Sequence, residues 1–256
     1  MKNIWIICRK ELRSYFVSPV AYLMLALFTV AFGFFFWNSL GFFLILGMES
    51  QLRGQSFPMN LNDEVVRPLL INFSFIGLLL IPLITMRLFA EEKRTGTIEL
   101  LATSPVRDVE VIVGKWLAAL GLYGFMLLLC GLNFIFLFIY GKPDWKPLAL
   151  GYLGLLLEAG GLLALGTLIS TMTKNQIIAG GVTFFVCLLL WLLSWFTASD
   201  PNSSVSQVIN YLSIITHFDN FSKGLLSTKD VVFYLSMIYF ALFLTSRSME
   251  SLRWRA

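Results

Sequence analysis

An all-α polytopic membrane protein is the fold class this sequence predicts, and three observations predict it. Of 256 residues, 57% are hydrophobic and only 13% charged, where a soluble domain carries about 25%. The apolar residues gather in six long runs, each near or beyond the roughly 20 residues that cross a hydrocarbon core. The runs do not alternate: Leu153 to Leu157 and Val186 to Leu193 are near-continuous, unlike barrel strands, in which every second residue faces lipid. Lipid offers no hydrogen-bond partner to the backbone, so each run must satisfy its own N–H and C=O groups as a helix. The spans are expected at about 20–47, 69–88, 112–140, 148–170, 177–198 and 231–246, joined by short connections in one transmembrane domain over 1–256.

Residues 2–17 precede the first span and are amphipathic. Trp5, Cys8, Leu12, Tyr15 and Phe16 repeat at helical spacing, while Lys2, Arg9, Lys10 and Arg13 gather elsewhere. Such a helix lies at a membrane interface with its basic face toward headgroups, either as an anchor alone or as an anchor that also touches a partner. Ser18-Pro19 reads as N-cap and first residue of the first span. The polar segment 48–68 is a solvated loop. Pro82 removes one hydrogen bond within the second span, and Arg87 at its end is long enough to snorkel to headgroups.

The densest charge follows directly: Glu91-Glu92-Lys93-Arg94-Thr95-Gly96-Thr97-Ile98-Glu99-Leu100-Leu101. Such a cluster cannot enter hydrocarbon and must lie at a membrane surface. Gly96 and Pro105 bound a short helical turn from Thr97 to Ala102, and Ser104-Pro105 reads as another helix start, with Asp108 near its positive end. Two readings stand: a solvated loop that fixes topology, or a docking element.

Glu158, deep in the fourth span, is the exceptional intramembrane carboxylate, and Asn133, midway down the third, is a candidate hydrogen-bond partner. The pair is either a structural interhelical bond or part of a translocation path or dimer seam. Gly160, Gly161 and Gly166 nearby allow helices to approach closely. In 199–230, Val205, Val208, Ile209, Leu212 and Ile215 fall at helical spacing, too short to span, which predicts re-entrant or interfacial helices beside the Trp191 and Trp195 belt. The single histidine, His217, reads as a packed residue among apolar neighbours.

Lys and Arg set the orientation. One side gathers Lys2, Arg9, Lys10, Arg13, Arg87, Lys93, Arg94, Arg107, Lys115, Lys174, Arg247, Arg253 and Arg255. The other holds Arg53, Arg67, Lys142, Lys146, Lys223 and Lys229. Both termini are therefore expected in the cytoplasm, with the chain multi-pass in the cytoplasmic (inner) membrane and no cleavable signal peptide. The net charge of +4 reflects this sidedness rather than a nucleic-acid surface. Cys8, Cys130 and Cys187 match no metal spacing. Gly114-Lys115 and Gly141-Lys142 lack the spacing and hydroxyl of a phosphate loop, and no nucleophile elbow or paired carboxylates appear. The chain reads as non-catalytic, without a cofactor or metal of its own.

Thr85-Met86-Arg87-Leu88-Phe89-Ala90 leading into 91–101, followed by Ser104-Pro105, closely resembles the first cytoplasmic loop of ABC-2 type permeases, the membrane subunits of ATP-binding-cassette transporters. Arg9-Lys10-Glu11-Leu12-Arg13-Ser14-Tyr15-Phe16, Thr173-Lys174-Asn175-Gln176 and His217-Phe218-Asp219-Asn220-Phe221-Ser222-Lys223-Gly224 are similar to the gliding-motility-associated branch. The resemblance implies that 91–101 form a coupling helix docked on a cytoplasmic ATPase, which carries the ATP and Mg. It implies that 2–17, with Arg9, Lys10, Glu11 and Arg13, form the interfacial helix, that Thr171 to Gln176 make a second contact, and that 203–227 cap the path externally. It implies a second permease subunit, identical or related, and in gliding-type systems a further membrane protein with a large external domain. The implied activity is export of a substrate the sequence does not name; a complex that moves an external partner without transport is the alternative.

Overall fold

The computed structural model describes residues 2–52, 60–97, 106–141, 143–196 and 203–253. Among them, α1 (Lys2–Val17) leads into α2 (Pro19–Leu52), and a π-helical turn, Asn62–Val66, opens α3 (Arg67–Thr85). Then follow α4 (Ala90–Thr95), α5 (Asp108–Tyr140), α6 (Trp145–Met172), α7 (Gln176–Phe196), α8 (Ser204–Leu212), α9 (Ile214–Ser222) and α10 (Thr228–Arg253). Among the described residues six helical stretches are long and apolar enough to cross a membrane: α2; α3 with its flanking turns and α4; α5; α6; α7; and α10. Six is the number of spans expected.

The spans are not equivalent. Within its most apolar window α3 is 67% buried and α6 56%, against 17% for α7 and 22% for α10. The centre of the bundle is therefore the α3–α6 pair, and its rim is α7, α10 and most of α2. Phe28 and Phe32 of α2 reach inward to Phe73 of α3, the latter two rings stacked with centroids 4.5 Å apart. Phe134 of α5 closes the same aromatic cluster. In hydrocarbon this packing, rather than exclusion of water, holds helices together.

Close approach sets the geometry at two glycines of α6. A Cβ at Gly166 would sit 2.4 Å from Thr85 Oγ1 of α3, and one at Gly154 would sit 2.7 Å from Phe221 Cβ of α9. Trp116 of α5 adds a directional bond, its indole N–H donating to the Gly160 carbonyl at 2.9 Å.

The amphipathic α1 does not stand clear of the bundle. It packs along the first half of α5 in the same direction: Asn3 against Glu110, Ile7 against Gly114, Leu12 against Gly121 and Phe16 against Phe125. Cys8 is buried in this seam, and Arg9, Lys10 and Arg13 face outward. Trp5, expected on the apolar stripe, is 68% exposed, because the stripe that meets α5 runs through Ile4, Ile7 and Cys8 instead. The bend into α2 is confined to Ser18, whose hydroxyl accepts the Val20 N–H at 3.4 Å. The third span starts at Asp108, with Arg107 extended before it and the Glu110 carboxylate accepting the Arg107 N–H. The expected start at Ser104-Pro105 lies outside the described residues.

At the other end of the bundle, α8 and α9 are nine-residue helices sharing Ser213 as C-cap and N-cap. Phe218 and Phe221 sink into the core. His217 is buried, stacked on Phe233 with ring centroids 4.0 Å apart, with Nδ1 2.6 Å from Asp230 Oδ1 and Nε2 2.9 Å from the Tyr211 carbonyl. Asn220 donates to the other oxygen of Asp230, so α9 is latched to α10. Asp219 takes Arg67 at 2.8 Å and Lys223 at 2.5 Å, latching α9 to α3 as well.

Two outcomes are expected. Gly166→Ala should overpack the α3–α6 contact and cost about 1–3 kcal/mol, read as a lowered melting temperature in detergent. Burial pushes the Asp219 carboxyl up, but the bonds from Lys223 and Arg67 outweigh it and hold its pKa below the ordinary value. Its stabilising contribution is therefore present above the ordinary carboxylate pKa and is lost as pH falls through the lowered one. Thermal melts across an acid titration should show this loss in the parent and a flatter acid limb in Asp219→Asn.

Candidate functional site

The charged island begins where α3 ends. After Thr85 the chain makes a turn over Met86 to Phe89 and re-enters helix as α4. Phe89, the N-cap of α4, has no side-chain acceptor for the free N–H groups that every helix start presents. A neighbouring helix supplies one: Ser170 Oγ of α6 accepts from the backbone N–H of both Phe89 and Ala90, each at 3.1 Å. Six residues later Gly96 takes φ +75° and ends the helix, a conformation glycine adopts without a Cβ penalty. Gly96 is the boundary expected from the sequence, and of the coupling helix that the resemblance implies over 91–101 only residues 91–97 are described. Ile98, Glu99, Leu100 and Leu101 lie outside the described residues.

One cation organises the island from below. Lys115 of α5 is 3% exposed. Its ammonium donates to the Leu88 carbonyl at 2.8 Å, to Glu92 Oε1 at 2.7 Å and to Glu11 Oε1 at 3.3 Å. It also lies 5.1 Å from the centroid of the Phe89 ring. An ammonium has three protons to place, and here each finds an oxygen, from the end of α3, from α4 and from α1. A buried charge is tolerated only when so paired and hydrogen-bonded. Lys93 makes a second tether, donating to the Thr171 carbonyl at the end of α6.

The island therefore has two faces. Glu92 and Lys93 turn inward and are half-buried, whereas Glu91, Arg94, Thr95, Gly96 and Thr97 are exposed. Glu11 likewise leaves the outward row of Arg9, Lys10 and Arg13 to reach Lys115. Sequence reasoning placed Lys115 among the topology-setting charges and missed this role. The signal was available: Lys115 shares a helical face with Ile112, Ala119 and Leu122, all buried, so a cation there required a counter-charge.

Glu158 is 2% exposed in α6. Its partner is not Asn133, whose amide donates to the Cys130 carbonyl of its own helix. Ser74 of α3 fills the role, its hydroxyl donating to Glu158 Oε1 at 2.6 Å. The α3 and α6 faces meet directly at the centre of the bundle, while the Asn133 amide is engaged within α5. The three cysteines are buried and unpaired.

Taken together, the site is a charged, surface-presented helix held by buried anchors to the ends of spans. The family described as ABC-2 family transporter protein matches residues 5–246, and so includes most of α1, the island, the first five spans and the greater part of α10. No curated protein matches the chain. With the match extending over nearly the whole chain, and six membrane-crossing helices in place, the protein belongs to the ABC-2 family of transporter proteins, as a membrane subunit.

Proposed function

We propose that this chain is the permease of an ATP-driven exporter in the cytoplasmic membrane, with both termini and the α4 island in the cytoplasm. The island takes up the movement of a separate ATPase subunit, which carries ATP and Mg, and passes it to the spans. The observation that carries this reading is the Lys115 cluster. It joins α4 to α1, α3 and α5 through one buried cation, while Ser170 and Thr171 join it to α6, and it leaves Glu91, Arg94 and Thr95 exposed for a partner. A force on the exposed face is passed through these bonds to the spans. Arg9, Lys10 and Arg13 of α1, and Lys174 after α6, extend the same surface. The residues 98–101 would complete the docking motif.

A second copy of this chain or a related permease completes the translocation unit, and α8 with α9 cap its outer end. The stretches 9–16 and 217–224 favour the gliding-motility-associated branch, which adds a membrane protein with a large external domain.

Co-purification with the ATPase tests the reading. Glu91→Lys combined with Arg94→Glu should cut retention of the ATPase about tenfold or more, a change of at least ~1.4 kcal/mol. The melting temperature of the isolated chain should hold, because exposed substitutions usually shift stability by about 0.5 kcal/mol or less. Retention and ATP-driven transport that survive the double reversal would refute the docking role. Lys115→Met should behave differently: it strands the Glu11 and Glu92 carboxylates and should cost about 3–5 kcal/mol. The triple variant with Glu11→Gln and Glu92→Gln should recover part of that loss, a rescue measurable by thermal melts.

A further inference from the structure

A pocket of about 320 Å³ opens between the C-terminal half of α1 and the turn after α3, bordering the coupling site and sharing Glu11 and Glu91 with it. Its polar lining comes from Glu11, Ser14 and Ser18 on one side and Arg87 and Glu91 on the other. Arg87 is half-buried, and its Nε is shielded from solvent without a hydrogen-bond partner among the described residues. A buried guanidinium N–H left unpaired is costly, so the site is shaped for an acceptor that the described residues do not supply.

Glu91 stands four residues on, a spacing that pairs opposite charges on a regular helix. Here the turn over Met86 to Phe89 interrupts the helix, and no ion pair forms between them among the described residues. Tyr15 does not fill the need either, because its hydroxyl is spent on the Ile84 carbonyl at 3.2 Å. Both charges bear on that phenol: burial first and then Glu11 push its pKa up, Arg87 pulls it down and Glu91 raises it. Arg87 and the two carboxylates thus surround one small space.

A guanidinium calls for a phosphate, which it can fork. The carboxylates call for an ammonium. The pocket lies where the span ends, and Leu79 and Leu83, both exposed, precede Arg87 at four-residue intervals along α3. That row offers an apolar track leading to the charged pocket. Val17 at the pocket rim is 77% exposed, another surface suited to hydrocarbon.

We propose that this pocket binds the headgroup of an ethanolamine phospholipid, the phosphate on Arg87 and the primary ammonium between Glu91 and Glu11, with an acyl chain along Leu83 and Leu79. A choline headgroup, with no N–H to donate, fits only the phosphate half. A glycerol headgroup satisfies Arg87 and leaves the carboxylates facing a diol.

The test is native mass spectrometry of the purified chain in detergent, titrated separately with phosphatidylethanolamine, phosphatidylglycerol and phosphatidylcholine. Phosphatidylethanolamine should be retained about tenfold more tightly than phosphatidylcholine. Arg87→Gln should lower its retention about tenfold, and Glu91→Gln should erase the preference for ethanolamine over choline while keeping phosphate binding. Arg87→Lys, which keeps the charge but loses the fork, serves as a second variant should Arg87→Gln fail to fold. Equal retention of the three lipids, stronger retention of phosphatidylglycerol, or indifference to both Arg87 substitutions would overturn the assignment. The measurement uses the chain without an ATPase, so its failure and failure of the coupling reading are told apart.

Discussion

The buried ammonium of Lys115 is the interaction on which the arrangement of this chain depends. An unpaired cation beneath the α3 end would be too costly to bury, and pairing it obliges three other segments to converge. α1 must bring Glu11, α4 must bring Glu92, and α3 must stop where the Leu88 carbonyl is free to accept. The turn that follows Thr85 is what frees that carbonyl. A single electrostatic requirement thus fixes the approach of the N-terminal helix, the register of the island and the end of a central span.

The island is gripped from two directions. Lys115 holds its underside, and Ser170 caps its start from α6. The two most buried spans, α3 and α6, therefore meet the same short helix, one through the chain and one through a hydroxyl. Their centres are joined again by Ser74 and Glu158, and Gly166 lets them close upon Thr85. Displacement of α4 has to be shared between them. At the far end α9 is latched to α3 by Arg67 and Asp219 and to α10 by His217 and Asp230, which links that end of the bundle to the same central helix.

Much of this architecture was legible from the residues. Long apolar runs have no other stable form in lipid than helices, so the six spans followed from length alone, and the island followed from charge density. Its two faces did not. Helical phase assigns faces only while a helix is continuous, and the turn over Met86 to Phe89 cuts α4 off from the phase of α3, so Glu92 and Glu91 could not be sorted by spacing. The partner of Glu158 was missed for a different reason. Ser74 is 84 positions away, and which of several polar residues meets a carboxylate depends on how the spans pack. For α1 the amphipathic pattern was evident, but a pattern does not say whether lipid or another helix covers the apolar side. Here α5 covers it, and that shifted Trp5 outward.

The composition of the Lys115 cluster also constrains how this sequence can drift. One of its three acceptors is a main-chain oxygen, so the side chain at position 88 is not bound by that contact. The other members carry charge, and they lie far apart in the chain: Glu11 is 104 positions from Lys115 and Glu92 is 23. Neutralising Lys115 leaves two carboxylates without a counter-charge under the island, whereas neutralising one acid still leaves the lysine paired with the other. Lineages that lose the lysine should therefore lose both acids with it, while lineages that keep it should keep at least one.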